Sequence, residues 1–281
     1  MRLHDALEFH ARIEPDNEFA SQDGERLGYA EADAAANRIA HALLAAGLEK
    51  GDRAAFLAKN CLEFLVFYYG AAKAGVVPVP LNYRLAGPEW AYIVNDSGAR
   101  LLVARGELVA ALDAVRGDLG GVERFVALGA EAPGWQPWTD WLAGHPATPC
   151  GRSVSDEDDL YQMYTSGTTG RPKGAVLTHR AVCAQLQQAG HTFGIQAGDR
   201  VLIVAPLYHA AAAITAFVTI QNGGAAFVQE EFVPAEVVRA LCEERIAVAL
   251  LVPAMIQFCL VGVPDVASRR FDQLRLVAYG A

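Results

Sequence analysis

The sequence predicts an α/β protein built from mostly parallel sheets with flanking helices. Three observations lead to that class. Short apolar runs of strand length alternate with segments of helical period along most of the chain. Hydrophobic residues make up 53% of the 281 and charged residues 20%, which is enough for ample core and too apolar for disorder. Glycine and proline fall at the points where strands and helices should exchange.

The first ten residues are amphipathic, without the uninterrupted apolar stretch of a signal peptide. Residues 54–58 read as a buried strand, and Asn60 begins a helical segment through Lys73 that Gly75 closes. Residues 76–81 are β-branched but carry Pro78 and Pro80, which suits an edge strand or an extended segment. Pro88 fits the first turn of a helix reaching Asn95. A strand at 101–104, a helix near 107–115 and a strand at 124–128 follow. The interval 134–158 breaks the rhythm. Its tryptophans Trp135, Trp138 and Trp141 lie three apart among prolines and read as core packing rather than a ligand platform. A subdomain boundary is expected there, giving an N-terminal α/β subdomain over 1–150 and a second over 151–281.

The alternation then resumes. A strand at 160–164 enters a glycine-rich loop and 175–177 returns from it; a helix spans 179–193 and a strand 201–204. A helix starts near His209, Gly223 and Gly224 turn the chain into a strand at 225–228, and Pro234 opens a helix to Glu244. Further strands are expected at 246–252 and 274–279, and no internal repeat is present.

The net charge of −9 argues against a nucleic-acid partner. The five cysteines are scattered without a C-x-x-C pair, which disfavours a disulfide framework or zinc site and suits a reducing compartment. No apolar stretch reaches membrane-spanning length, so a cytoplasmic protein is expected.

The chemistry concentrates in Tyr164-Thr165-Ser166-Gly167-Thr168-Thr169-Gly170-Arg171-Pro172-Lys173-Gly174. Glycines let backbone N–H groups approach a ligand, hydroxyls add donors, and Lys173 supplies a mobile positive charge. That combination suits a polyphosphate. The spacing is not that of the Walker loop, because no Ser or Thr follows Lys173. An ordinary surface turn is the competing reading.

The string resembles the signature loop of the adenylate-forming superfamily, which includes acyl- and aryl-CoA ligases, luciferases and adenylation domains of peptide synthetases. Other segments are similar to that family in the same order: Leu27-Gly28-Tyr29-Ala30-Glu31 with Asn37-Arg38, the stretch 71–85 that contains Asn82 and Arg84, Pro206-Leu207-Tyr208-His209, and 274–281. The resemblance implies two subdomains of the large N-terminal domain of that fold. It implies an ATP-dependent acyl-CoA ligase that forms an acyl-adenylate and pyrophosphate, then passes the acyl group to CoA, with a fatty acid as the carboxylic-acid substrate. An aryl-acid ligase, and a non-catalytic nucleotide- or acyl-binding module, are the alternatives.

By the same resemblance, Thr165, Ser166, Gly167, Thr168, Thr169, Gly170 and Lys173 hold the ATP phosphates, and Thr165 is a ligand of Mg²⁺. Tyr208 and His209 wall the acyl pocket, and Lys173 and His209 are the catalytic candidates. Gly280 and Ala281 contact adenine. His209 taken alone reads as a structural residue opening a helix, a reading that the preceding Pro-Leu-Tyr and the resemblance reverse in favour of a pocket wall or gate, and the run Ala210–Ala213 either leaves room for an acyl group or serves helix propensity. His179 and the Asn82–Arg84 pair are assigned structural duty. The family's metal glutamate, ribose aspartate, hinge and small C-terminal domain have no counterpart before residue 281. The chain is therefore expected to be an N-terminal portion, inactive alone and prone to self-association through the edge left by 274–279.

Overall fold

The computed structural model describes residues 1–165 and 170–280. From the N-terminus, α1 (Leu3–Ile13) leads to β1 (Glu18–Gln22), β2 (Glu25–Gly28) and α2 (Tyr29–Ala45). Next come β3 (Arg53–Leu57), α3 (Leu62–Ala74), β4 (Val77–Leu81), α4 (Gly87–Ser97), β5 (Ala99–Arg105) and α5 (Leu108–Asp113). Then β6 (Arg124–Leu128), β7 (Gln136–Pro137) and α6 (Trp138–Leu142) precede β8 (Asp159–Thr165), β9 (Lys173–Thr178) and α7 (His179–Phe193). The remainder is β10 (Arg200–Ile203), α8 (Ala210–Gln221), β11 (Ala225–Val228), α9 (Pro234–Glu243), β12 (Ile246–Leu251), α10 (Pro253–Gly262) and β13 (Leu276–Tyr279).

The chain forms two compact units. The first takes Met1–Asp5, Asp33–Lys59 and Val66–Cys183; the second takes Ala6–Ala32, Asn60–Leu65 and Ala184–Ala281. The second unit is discontinuous in sequence. The physical reason is long-range pairing: β1 runs parallel beside β11, with Ala20 opposite Ala226, so an N-terminal segment completes the second unit's sheet.

Among the described residues, the first unit holds a parallel five-stranded sheet in the order β4-β3-β5-β6-β7 and the antiparallel pair β8-β9. β4 sits at the edge, as its prolines require. Pro78 and Pro80 alternate with Val77, Val79 and Leu81, so the missing N–H groups all fall on one side and the strand pairs with β3 on the other. The core beside this sheet includes Leu57, Val79, Trp90, Leu102, Leu112 and Trp135. All three tryptophans of 134–158 are buried, and Trp138 and Trp141 meet at a ring separation of 5.2 Å, in line with packing.

α3 is apolar on all sides and buries Phe64, Leu65, Phe67, Tyr68 and Tyr69. The second unit holds a six-stranded sheet, β13-β12-β10-β11-β1-β2, parallel except for the β1–β2 hairpin. Its core gathers Leu202, Val204, Val237, Ile246 and Leu251. Neither the β1–β2 hairpin nor α10 was expected from periodicity. Phe258, Leu260 and Val261 of α10 are exposed, so that helix shows no apolar stripe to read. No helix among the described residues is long and apolar enough to cross a membrane.

Two buried histidines give the first unit an acid-sensitive joint. His4 and His179 meet edge to face at 5.8 Å, and His179 Nδ1 accepts a hydrogen bond from the Leu3 N–H at 3.1 Å. Burial lowers His4 to about 3, with Arg2 and His179 adding to the effect; Asp5 opposes it and Lys73 reinforces it. Burial lowers His179 to about 4, against the pull of Asp158 and Asp5. Both are neutral when folded and regain an ordinary pKa near 6.5 when unfolded. Unfolding therefore takes up protons, and the stability present above pH ~6.5 is lost as pH falls from there toward 4. Urea denaturation at pH ~7 and ~5 should show a marked loss for the parent and a smaller one for His4→Phe, which keeps the ring and removes the titration. Equal losses for the two proteins would rule the pair out as the cause.

Candidate functional site

The glycine-rich string is the connection of a β-hairpin. β8 and β9 pair antiparallel with Thr165 opposite Lys173 and Tyr164 opposite Gly174. The two residues assigned to metal and phosphate thus face each other across the last rung, and both are exposed. Gly170 takes a φ of +92°, a conformation that favours glycine. Ser166, Gly167, Thr168 and Thr169, assigned to phosphate, and Ala281, assigned to adenine, lie outside the described residues.

The base of the hairpin is anchored to α4. Tyr164 Oη donates to Asp96 Oδ2 at 2.6 Å, and Tyr92 Oη donates to the Pro172 carbonyl at 3.2 Å. The Arg171 guanidinium lies 5.6 Å from the Tyr92 ring centre. Tyr92 and Asp96 are four apart and share a helix face. Burial, with the Asp96 carboxylate second, raises the Tyr164 hydroxyl far above its ordinary pKa, so it stays a donor. At Gly174 a Cβ would come within 2.9 Å of the Tyr164 ring carbon Cζ and would also meet the Gln162 amide, so a larger residue there would displace these two side chains. Sequence reading missed Tyr92 and Asp96. The signal available was their i, i+4 spacing, which names no partner.

The second group of residues sits on the six-stranded sheet. β10 ends at Ile203, and the turn through Pro206 places His209 as the residue before α8, with φ −91° and ψ 142°. The His209 N–H donates to the Pro206 carbonyl at 2.9 Å. Tyr208 is buried, its ring 4.7 Å from that of His209, while His209, Ala210 and Ala211 are exposed. Gly280 follows β13, which is separated from β10 by β12, so the two segments lie at carboxyl ends of one parallel sheet. Ligands of open parallel sheets gather there.

The βα alternation of the sequence makes a single sheet plausible for all three features, and the structure divides them between two. The hairpin lies on the separate pair β8-β9 in the first unit, because its strands are antiparallel neighbours rather than members of a βα crossover. Asn82 accepts the Arg84 N–H at 2.9 Å and its carbonyl receives the Trp90 indole N–H at 2.8 Å, the structural duty expected of that turn. A cleft of about 570 Å³ in the second unit, bordered by Arg200, Phe227, Gln229 and Glu236, contains none of the residues singled out above.

The family model described as AMP-binding enzyme matches residues 7–281. The chain belongs to that family. It is 36% identical over 256 residues to the long-chain-fatty-acid–CoA ligase FadD13 of Mycobacterium tuberculosis, covering 86% of this chain and 47% of the relative. A feruloyl-CoA synthase of Amycolatopsis is 34% identical, over 96% of this chain and 52% of that protein. The inhibitor-bound crystal structure of the N-terminal domain of FACL13 from M. tuberculosis superposes with a TM-score of 0.91 at 32% identity, over 100% of this chain and 70% of that one. The chain spans about half the length of the curated relatives it matches.

Proposed function

We propose that this AMP-binding chain is the nucleotide- and acyl-binding part of an ATP-dependent fatty-acid–CoA ligase. The observation that carries the reading is the Thr165–Lys173 rung at the mouth of a glycine-rich hairpin, in a chain related to a long-chain-fatty-acid–CoA ligase. Phosphoryl transfer asks little covalent chemistry of a protein; alignment and charge neutralisation do most of it. The Lys173 ammonium neutralises the phosphates that leave as pyrophosphate. By the family resemblance, Ser166, Gly167, Thr168 and Thr169 are the further residues proposed to bind the phosphates.

Mg²⁺ fits here as an ion that arrives with the nucleotide. Its hard-oxygen preference suits the Thr165 hydroxyl and phosphate oxygens, and the described residues contain no cluster of three His, Cys, Asp or Glu to form a protein cage. When bound it would supply charge neutralisation at the phosphates. CoA is the proposed acceptor, and a reducing, cytoplasmic setting suits that chemistry. Tyr208, His209 and the small residues Ala210 and Ala211 form the acyl side, and Gly280 with Ala281 the adenine side.

An aryl acid is the second reading, favoured by the relationship to feruloyl-CoA synthase. The test is thermal unfolding with non-hydrolysable sulfamoyl-adenosine analogues carrying a palmitoyl or a feruloyl group. A ligand at a hundred times its Kd stabilises by about 2.7 kcal/mol, or a rise of roughly 5–10 °C for a chain of this size. The palmitoyl compound should give the larger rise. A larger rise with the feruloyl compound would select the aryl reading, and no rise with either would end both.

A further inference from the structure

The turn that carries Tyr208 and His209 is held by one buried side chain that the functional reading leaves unused. Asn60 is only 2% exposed and belongs to the second unit. Its Nδ2 donates to the Ala205 carbonyl at 3.0 Å and to the Gln229 carbonyl at 3.1 Å. Its Oδ1 accepts the Leu207 N–H at 2.7 Å, and its own carbonyl receives Gln22 Nε2 at 3.0 Å. These partners follow the carboxyl ends of β10 and β11, with Gln22 closing β1. Asn60 therefore ties together three strand ends, two through its side-chain amide and one through its backbone carbonyl, and two of its three side-chain bonds bracket Pro206.

We infer that Asn60 is a positioning residue for acyl recognition, setting the turn Ala205–Leu207 and hence the placement of Tyr208 and His209 at the head of α8. This rests on the assignment of those two residues to the acyl pocket. The chemistry is specific to an amide. A carboxylate would aim oxygen lone pairs at two carbonyls, and alanine would remove the donor to those carbonyls and the acceptor of the Leu207 N–H in a site closed to water. Pro206 cannot donate, so the Leu207 N–H is the first backbone donor after Ala205 available to hold the turn.

The test compares Asn60→Ala, Asn60→Ser and a control, Val237→Ala, which opens a cavity in α9 of the same unit. Three quantities are measured on the full chain: hydrogen exchange of residues 205–213, affinity for a dansyl-labelled undecanoic acid, and affinity for a fluorescent ATP analogue. Both Asn60 variants should exchange at Leu207 about tenfold faster or more and bind the acid about tenfold more weakly, with nucleotide affinity within about twofold of the parent. The control should change neither exchange at Leu207 nor acid affinity. Asn60→Ser, which keeps one donor and acceptor, provides the comparison should Asn60→Ala fail to fold. Parental exchange and parental acid affinity in a folded Asn60 variant would overturn the inference. A parent that binds nucleotide but no acid would instead refute the acyl-pocket assignment, and the exchange contrast would still decide whether Asn60 sets the turn.

Discussion

Lys173→Met is expected to weaken ATP binding about tenfold to a hundredfold while leaving the melting temperature unchanged. The range follows from a charge-assisted hydrogen bond to phosphate, worth roughly 1.5–3 kcal/mol. The absence of a stability effect follows from the site: Lys173 is exposed at the last rung of a hairpin, opposite an equally exposed Thr165. The lost affinity should shrink as salt rises, since the interaction is between a point charge and a polyanion. Lys173→Arg should recover part of it, because the charge remains while the compact ammonium geometry does not. Titration of a fluorescent ATP analogue at low and high ionic strength reads all three effects. Unaltered affinity in Lys173→Met would remove this residue from the phosphate site.

Gly70→Ala is expected to destabilise the first unit by about 2 kcal/mol, although alanine is the better helix former by ~1 kcal/mol. Gly70 lies in α3, where a Cβ would stand 2.5 Å from Ile39 Cγ2, 2.6 Å from Ile39 Cβ and 2.9 Å from the Ala36 carbonyl oxygen, both on α2. Ile39 and Ala36 are fully packed, and a β-branched side chain on a helix has one strongly preferred rotamer, so neither can step aside cheaply. Backbone must move, and the clash outweighs the propensity gain. Differential scanning calorimetry should show a fall of roughly 4–8 °C. A melting temperature at or above the parent's would mean that the α2–α3 approach is looser than described. Gly70→Val should be worse, since a second branch meets the same wall.

The sequence by itself determined what local physics can settle. The apolar run of α3 required burial, alternate prolines confined β4 to an edge, and Pro234 marked the start of α9. The chemistry of residues 164–174 likewise followed from side-chain types and their order. Tertiary structure decided whatever depends on residues distant in the chain. The pairing of β1 with β11 carries an N-terminal strand into the second unit's sheet, because a short strand such as 18–22 is identified by the neighbour it meets some two hundred residues later rather than by its own pattern. The antiparallel register that sets Thr165 against Lys173 put the phosphate hairpin on its own sheet, where βα alternation had suggested a shared one. Asn60 reads in sequence as the start of a helix, and only the fold gives its amide two carbonyls and an N–H to hold. Local preferences act between near neighbours and can be read along the chain. Hydrogen-bond partners brought together by loop closure are fixed only when the whole chain has packed.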